Sequence, residues 1–363
     1  MKGVKYGQSR LFDLTKAFDT VSHNILINKL KFYGFDDVSV AFFLSYLSNK
    51  CQFVSLNGRI SDHGLLKHGV PQGSILGPVL FLIYINDLPA LVQDESLEAY
   101  LYADDLAINI VHENKMTLNN KLEDVTIKIY DWCNANSLAI NENKIENINC
   151  STGRNNYDPE NSVRLLGIHL EPGLGWQCHT NYLASKISKG IFMIRMLKYS
   201  VSTDSLLTVY YSHIFSYLNY GVLMWGNHPS AHALFVLQKR AIRLIYEAAP
   251  RTHCKPLFVR SGILTLPSMF VLACLIYVRS NIELFTVCSS VHAYSTRSND
   301  SLYIDKCKYS KTQNSFLIVS IKLFNSLPTT IRNLPLQTFK RRVTAALVTY
   351  ALYAVDEFYD ITF

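Results

Sequence analysis

Apolar and polar positions along the chain predict a mixed first half and a helical second half. Leu11-Phe12-Asp13-Leu14 reads as the end of a buried strand, approached through the polar decapeptide Met1–Arg10. Asn24–Tyr33 has helical spacing and stops at Gly34, and Asp36 or Asp37 is placed to cap a second helix, Val38–Leu47. Cys51–Leu56 alternates like a strand, and Asn57-Gly58 marks a hairpin turn. The loop Gly69–Pro78 is predicted to open an apolar helix, Val79–Leu88, that stops near Pro89. Ala99–Ile110 fits a strand–turn–strand with Asp104-Asp105 at its tip. Met116–Asn136 places Leu118, Leu122, Val125, Ile129 and Trp132 on one helical face. Short strands are expected at Leu138–Ile140, Glu146–Cys150 and Val163–Leu170, with a polar boundary loop at Ser151–Asn161. Beyond Gly175 the expected helices are His179–Tyr199, Ser205–Leu218, Ala231–Glu247, Met269–Val278, Ser315–Phe324 and Leu336–Tyr350, and Val291–Lys311 is polar and irregular.

Composition narrows the class. Apolar residues make up 49% and charged residues 17% of 363, enough to build a core and to exclude a disordered chain. The net charge of +7 suits a polyanionic partner, since lysines and arginines that meet phosphates release counterions, though a mildly basic enzyme has the same balance. The eight cysteines form no CxxC pair and no zinc spacing with histidine, so they read as reduced thiols of an intracellular protein, in the nucleus or cytoplasm. No apolar leader follows Met1. The longest apolar runs, Val79–Ile85 and Met269–Val278, fall short of the about 18 residues a membrane helix needs.

The candidate chemistry lies in the carboxylates. Phosphodiester synthesis with two metal ions about 3.5–4 Å apart requires at least two carboxylates converging from rigid elements. Asp13 at a strand end and Asp104-Asp105 on a hairpin supply that set, each in an apolar context. An aspartate beside a turn is ordinarily a turn residue. The reading changes because both sites occur in order, with a Gly/Pro/Gln loop between them.

Phe12–His23 (FDLTKAFDTVSH) resembles motif A of the reverse transcriptases of non-LTR, LINE-type retrotransposons. Gly69–Phe81 (GVPQGSILGPVLF) with Tyr84–Leu88 resembles motif B, and Tyr102–Asp105 (YADD) resembles motif C. Ser137–Lys144 and Arg164–Ile168 resemble motifs D and E. In the second half Tyr217–Gly221, Leu237–Ile245, Gly262–Pro267 and His292–Arg297 resemble jockey-like elements of arthropods. The resemblance implies an α+β polymerase palm, an antiparallel sheet with packed helices, over residues 1–172. A helical thumb over 173–250 and a C-terminal helical region of unknown role over 251–363 would follow.

It further implies that two Mg2+ ions are held by Asp13 and Asp104, with Asp105 in support. Phe18 becomes a gate against the ribose 2′-hydroxyl, with a core phenylalanine as the bland alternative. Gln72, Gly73 and Ser74 become neighbours of the nucleotide and template, unless the loop only starts a helix. Lys144 becomes a proton donor to the leaving pyrophosphate or a screen for its charge, although Ile145 stands where the family commonly has threonine. Asp19 and Asp87 are read as structural. Lys186, Lys189, Arg195 and Lys198, then Lys239, Arg240 and Arg243, then Lys340, Arg341 and Arg342, are basic groups that could follow phosphates or be solvated helix faces.

The implied partners are an RNA template, a DNA primer and deoxynucleoside triphosphates; protein partners are not legible. Only ten residues precede the motif A strand, so the sequence reads as an N-terminally truncated copy lacking the fingers. That leaves two alternatives open: an inactive remnant that only binds nucleic acid, and an RNA-dependent RNA polymerase, against which Phe18 argues.

Overall fold

The computed structural model describes residues 6–92, 94–151, 162–173, 175–291, 300–307 and 310–363. The expected boundary loop and the resemblance at His292–Arg297 therefore lie largely or wholly outside the described residues. The chain divides into two compact units, Met1–Leu165 with Leu170–Gly175, and Leu166–His169 with Trp176–Phe363.

The first unit is built on a four-stranded antiparallel sheet in the order Leu97–Tyr102, Asp105–His112, Tyr6–Asp13, Glu146–Ser151. The strand carrying Asp13 begins at Tyr6, five residues before the apolar run. Its polar positions are paired: Ser9 donates to Asn109 at 2.6 Å, and Arg10 donates to Asn147 and Thr126, each at 2.8 Å. The two-residue period of a strand sorts the sheet into two faces. Phe12, Leu106, Ile108 and Ile110 face the larger core, where helix Lys115–Ala135 packs on both central strands. Leu11, Ala107, Ile148 and Val163 face the other side.

All five residues expected on the buried face of the long helix are in that core, and Asn114 caps it by accepting from Met116 N–H. Asp36 caps helix Asp37–Leu47 by accepting from Ser39 N–H at 2.7 Å. Helix His23–Phe32 buries Leu26, Ile27 and Leu30 and packs on helix Leu76–Ile85. Each fully buried leucine contributes about 1.5–3 kcal/mol.

Several boundaries differ from expectation. The motif B helix starts at Leu76 rather than Val79, because Ser74 satisfies the Gly77 N–H at 2.9 Å and Pro78 needs no donor in a first turn. Pro89 opens a second short helix, Leu88–Val92, instead of only ending the first. Cys51–Leu56 is broken into Cys51–Gln52 and Ser55–Leu56, the latter pairing with Arg59–Ile60 across the expected Asn57-Gly58 turn. The run Val163–Leu170 is two short strands, split where Leu166 and Gly167 take φ of +46° and +82°.

The second unit is helical. Helix Gln177–Leu197 packs on Ala231–Ile245 and on Thr203–Tyr210. The single helix expected over Ser205–Leu218 changes to π geometry at Tyr211–Phe215. There Gly190 allows the neighbouring backbone in, since a Cβ would lie 3.0 Å from the His213 carbonyl oxygen. Helix Leu266–Ser280 packs on Phe316–Ser326 and Leu336–Tyr350, and the core holds Tyr210, Trp225, Phe258, Phe270 and Phe339. Buried Gln238 is satisfied by Tyr210, the Leu264 carbonyl and the Leu266 N–H. Among the described residues no single helix is long and apolar enough to cross a membrane. Lys255–Ser261 with Leu266–Ser280 passes that test only as a pair bent by 54°. Eight of the fifteen residues of Leu266–Ser280 are buried inside the protein.

Candidate active site

Asp13 ends its strand directly opposite Asp105 in an antiparallel register. Opposed residues of such a pair put their side chains on the same face. Both aspartates therefore project on the side of Leu11 and Ala107. Between Tyr102 and Asp105 the chain reverses in two residues, Ala103 and Asp104. Ala103 sits at φ +52°, a conformation that hairpins usually assign to glycine, asparagine or aspartate and that costs an alanine about 1–2 kcal/mol. Strain of this kind persists where the surrounding pairing dictates it, and here Asp104 lies in the turn at the end of the hairpin strands.

The end of the Asp13 strand is clamped by a third segment. Thr15 N–H donates to the Ala139 carbonyl at 2.7 Å, Asn141 N–H donates to the Asp13 carbonyl at 2.8 Å, and Leu14 pairs with Ile140. One turn of 3-10 helix, Glu142–Lys144, follows immediately. The clamp brings the Lys144 ammonium to 3.0 Å from Asp13 Oδ2. The hydrogen bond to Asp13, then the charges of Asp13, Asp104 and Asp105, hold the Lys144 pKa above its usual value. Burial, then repulsion from Asp104 and Asp13, pushes the Asp105 carboxyl up, with Lys144 opposing.

These groups open on a cleft of about 380 Å3 lined by Asp13, Lys16, Phe18, Asp19, Gln72, Asp104, Asn141 and Lys144. Asp105 lies on a second hollow shared with Asp13, Asn143, Lys144 and Arg164. Phe18 is half-buried and tilts against Phe81, with ring centroids 4.3 Å apart. Gln72 donates from Nε2 to Asp19 Oδ1 at 2.9 Å. Gly73 takes φ +80°, with no heavy atom within 4 Å of the place a Cβ would occupy. The Ser74 hydroxyl is committed to backbone, donating to the Pro71 carbonyl at 2.7 Å and accepting from Gly77 N–H.

The motif A turn and the motif B loop are joined mainly through backbone. Val70 N–H donates to the Phe18 carbonyl and Gly69 N–H to the Val21 carbonyl, while His23 bonds the Gly69 carbonyl at 2.8 Å. Gly69 takes φ +88°, and a Cβ there would lie 2.9 Å from the Asp19 carbonyl oxygen.

Asp87 is held away from this cleft by Lys29 at 2.7 Å and by Trp132 Nε1 at 3.3 Å. Lys16 and Asn141 line the cleft but were not singled out in the sequence. Lys16 was legible there, three residues after Asp13; Asn141 is brought in by the pairing with residues 13–15.

Among the described residues no three His, Cys, Asp or Glu side chains are gathered closely enough to hold a metal ion unaided. A magnesium ion takes one or two carboxylates and completes its shell with water and substrate phosphates. Asp13 and Asp104 on one cleft, already drawing in the Lys144 cation, fit that donor set.

An antiparallel sheet carrying one aspartate at a strand end and an aspartate pair on the adjoining hairpin is the arrangement expected of a polymerase palm. Residues 8–170 match the family described as "Reverse transcriptase (RNA-dependent DNA polymerase)", and this part of the chain is a reverse transcriptase domain of that family. The chain is 25% identical over 321 residues to a probable RNA-directed DNA polymerase from transposon X-element of Drosophila melanogaster, covering 82% of this chain and 32% of that protein. It is 26% identical over 327 residues to the probable polymerase from transposon BS of the same species, covering 82% and 33%. The RNA-directed DNA polymerase from mobile element jockey of Drosophila melanogaster is 25% identical over 267 residues, covering 68% and 29%. The chain thus spans about a third of the length of these relatives. A likeness to an apo telomerase structure from Candida Tropicalis has a TM-score of 0.38 at 16% identity, covering 47% of this chain and 35% of that one.

Proposed function

We propose that the chain acts as an RNA-directed DNA polymerase, adding deoxynucleotides to a DNA primer 3′-hydroxyl on an RNA template. The observation that carries this reading is Asp13 facing Asp105 across paired strands, with Asp104 turned onto the cleft that Phe18 and Gln72 also line. Asp13 and Asp104, supported by Asp105, would hold two magnesium ions, which supply activation of the 3′-hydroxyl and charge neutralisation at the pyrophosphate. Lys144, whose ammonium lies 3.0 Å from Asp13 Oδ2, would donate a proton to the leaving group or screen its charge. Phe18, backed by Phe81, limits the space beside the sugar and so excludes a 2′-hydroxyl. Gln72 and Gly73 face the nucleotide, and Ser74 serves them by capping the loop. Residues 1–172 are read as the palm, 173–250 as a thumb whose basic side chains follow duplex phosphates, and 251–363 without an assigned role. Template, primer and deoxynucleotides meet inside cells, so the reading carries an intracellular location.

Primer extension on an RNA template with deoxynucleotides and Mg2+ tests the proposal. The full chain is expected to extend the primer and Asp104→Ala to abolish extension, with the two differing in stability by no more than about 1 kcal/mol. No extension by the full chain would count against the reading, as would equal use of ribonucleotides.

A further inference from the structure

We infer that Asp19 is a positioning residue that fixes which end of the Gln72 amide faces the cleft, an inference that rests on the polymerase reading above. Gln72 is reached by a loop, not by a helix or strand, so its own backbone leaves the side chain free to turn. The Asp19 carboxylate removes that freedom. An ionised carboxylate only accepts hydrogen bonds, so the amide nitrogen must face it, as observed at 2.9 Å. The carbonyl Oε1 is then left as the group available to the cleft, and among the described residues no hydrogen bond engages it. Asp19 is itself fixed by two neighbours. Its N–H donates to the Lys16 carbonyl at 2.8 Å, and Gly69 packs against its backbone. The pair sits on the same cleft as Asp13, Phe18 and Asp104. Gln72 therefore presents an acceptor to an incoming nucleotide, and Asp19 sets that polarity without touching the nucleotide.

Single-nucleotide extension by the full chain, comparing wild type with Asp19→Ala, Asp19→Asn and Gln72→Ala, tests this. Asp19→Ala is expected to raise KM for the deoxynucleotide about tenfold, the effect of one hydrogen bond to a charged group, with kcat within about twofold. Asp19→Asn keeps an acceptor oxygen and should restore KM to within about threefold of wild type. The double variant Asp19→Ala/Gln72→Ala should be no worse than Gln72→Ala alone, since both act on one contact. A merely structural aspartate would lower the thermal midpoint and the active fraction while leaving KM unchanged. Unchanged KM in Asp19→Ala, an Asp19→Asn variant as impaired as the alanine, or additive losses in the double variant would each overturn the inference while extension by wild type leaves the function standing. Absence of extension by wild type would overturn both.

Discussion

Replacing Gly69 with alanine should damage the protein more than the same change at Gly73, and the difference can be worked from the backbone. Both glycines lie in the motif B loop at positive φ, +88° and +80°. Either alanine therefore bears the left-handed penalty of about 1–2 kcal/mol. At Gly73 the new methyl meets no heavy atom within 4 Å, so that penalty is the whole cost. At Gly69 it would lie 2.9 Å from the Asp19 carbonyl oxygen and 3.0 Å from Asp19 Cα. Both are backbone atoms, so no rotamer change relieves the overlap, and overpacking of this kind adds about 1–3 kcal/mol. The total for Gly69→Ala is about 2–5 kcal/mol, against about 1–2 for Gly73→Ala. The movement that relieves the clash would separate the motif A turn from the motif B loop, because Gly69 and Val70 bond Val21 and Phe18 at that point. Urea unfolding of the two variants beside wild type measures the difference, and primer extension reads the loss of alignment. Equal destabilisation by the two substitutions would refute the close approach of these segments.

Three further outcomes are expected. Phe18→Ala should raise ribonucleotide over deoxynucleotide incorporation by about tenfold or more, measured as a ratio of kcat/KM; an unchanged ratio removes the gate. Buried His179, held neutral by burial and then by nearby His169, has its pKa lowered from 6.5 to about 4. The unfolded chain binds this proton first, so the contribution is complete above pH 6.5, shrinks as pH falls, and is lost below about pH 4. The gap corresponds to about 3 kcal/mol, and thermal melts of His179→Phe between pH 7 and pH 4 should show a shallower fall than wild type; parallel curves would exclude this role. Lys29 bonds Asp87 and the Tyr84 carbonyl and lies over the Tyr84 and Trp132 rings. Lys29→Ala should cost about 1–3 kcal/mol in urea unfolding, with Asp87 nearly half exposed and so partly rescued by water; a loss under about 0.5 kcal/mol would show the pair to be incidental.

The sequence by itself determined the elements whose physics is local. The long helix Lys115–Ala135 was legible from its apolar face, and Gly34 marked the end of helix His23–Phe32. The cap at Asp36, the turn at Asn57-Gly58 and the hairpin carrying Asp104-Asp105 were equally visible. The ordered aspartates and the loop between them were enough to name the family. The polar half of strand Tyr6–Asp13 was not legible, because its side chains are satisfied by Asn109, Thr126 and Asn147, about a hundred residues or more away. Nor was the start of the motif B helix, which depends on how Ser74 caps Gly77.

Only the tertiary structure decided which groups meet. Register pairs Asp13 with Asp105, and a one-residue slip would have sent one of them to the opposite face. The pairing of residues 13–15 with 139–141 delivers Lys144 to Asp13 and Asn141 to the cleft. The contact between Asp19 and Gln72 spans 53 residues and leaves no local trace in either segment. Local propensity is written in neighbouring residues, whereas contacts across the fold depend on strand register and loop closure, which no short stretch of sequence contains.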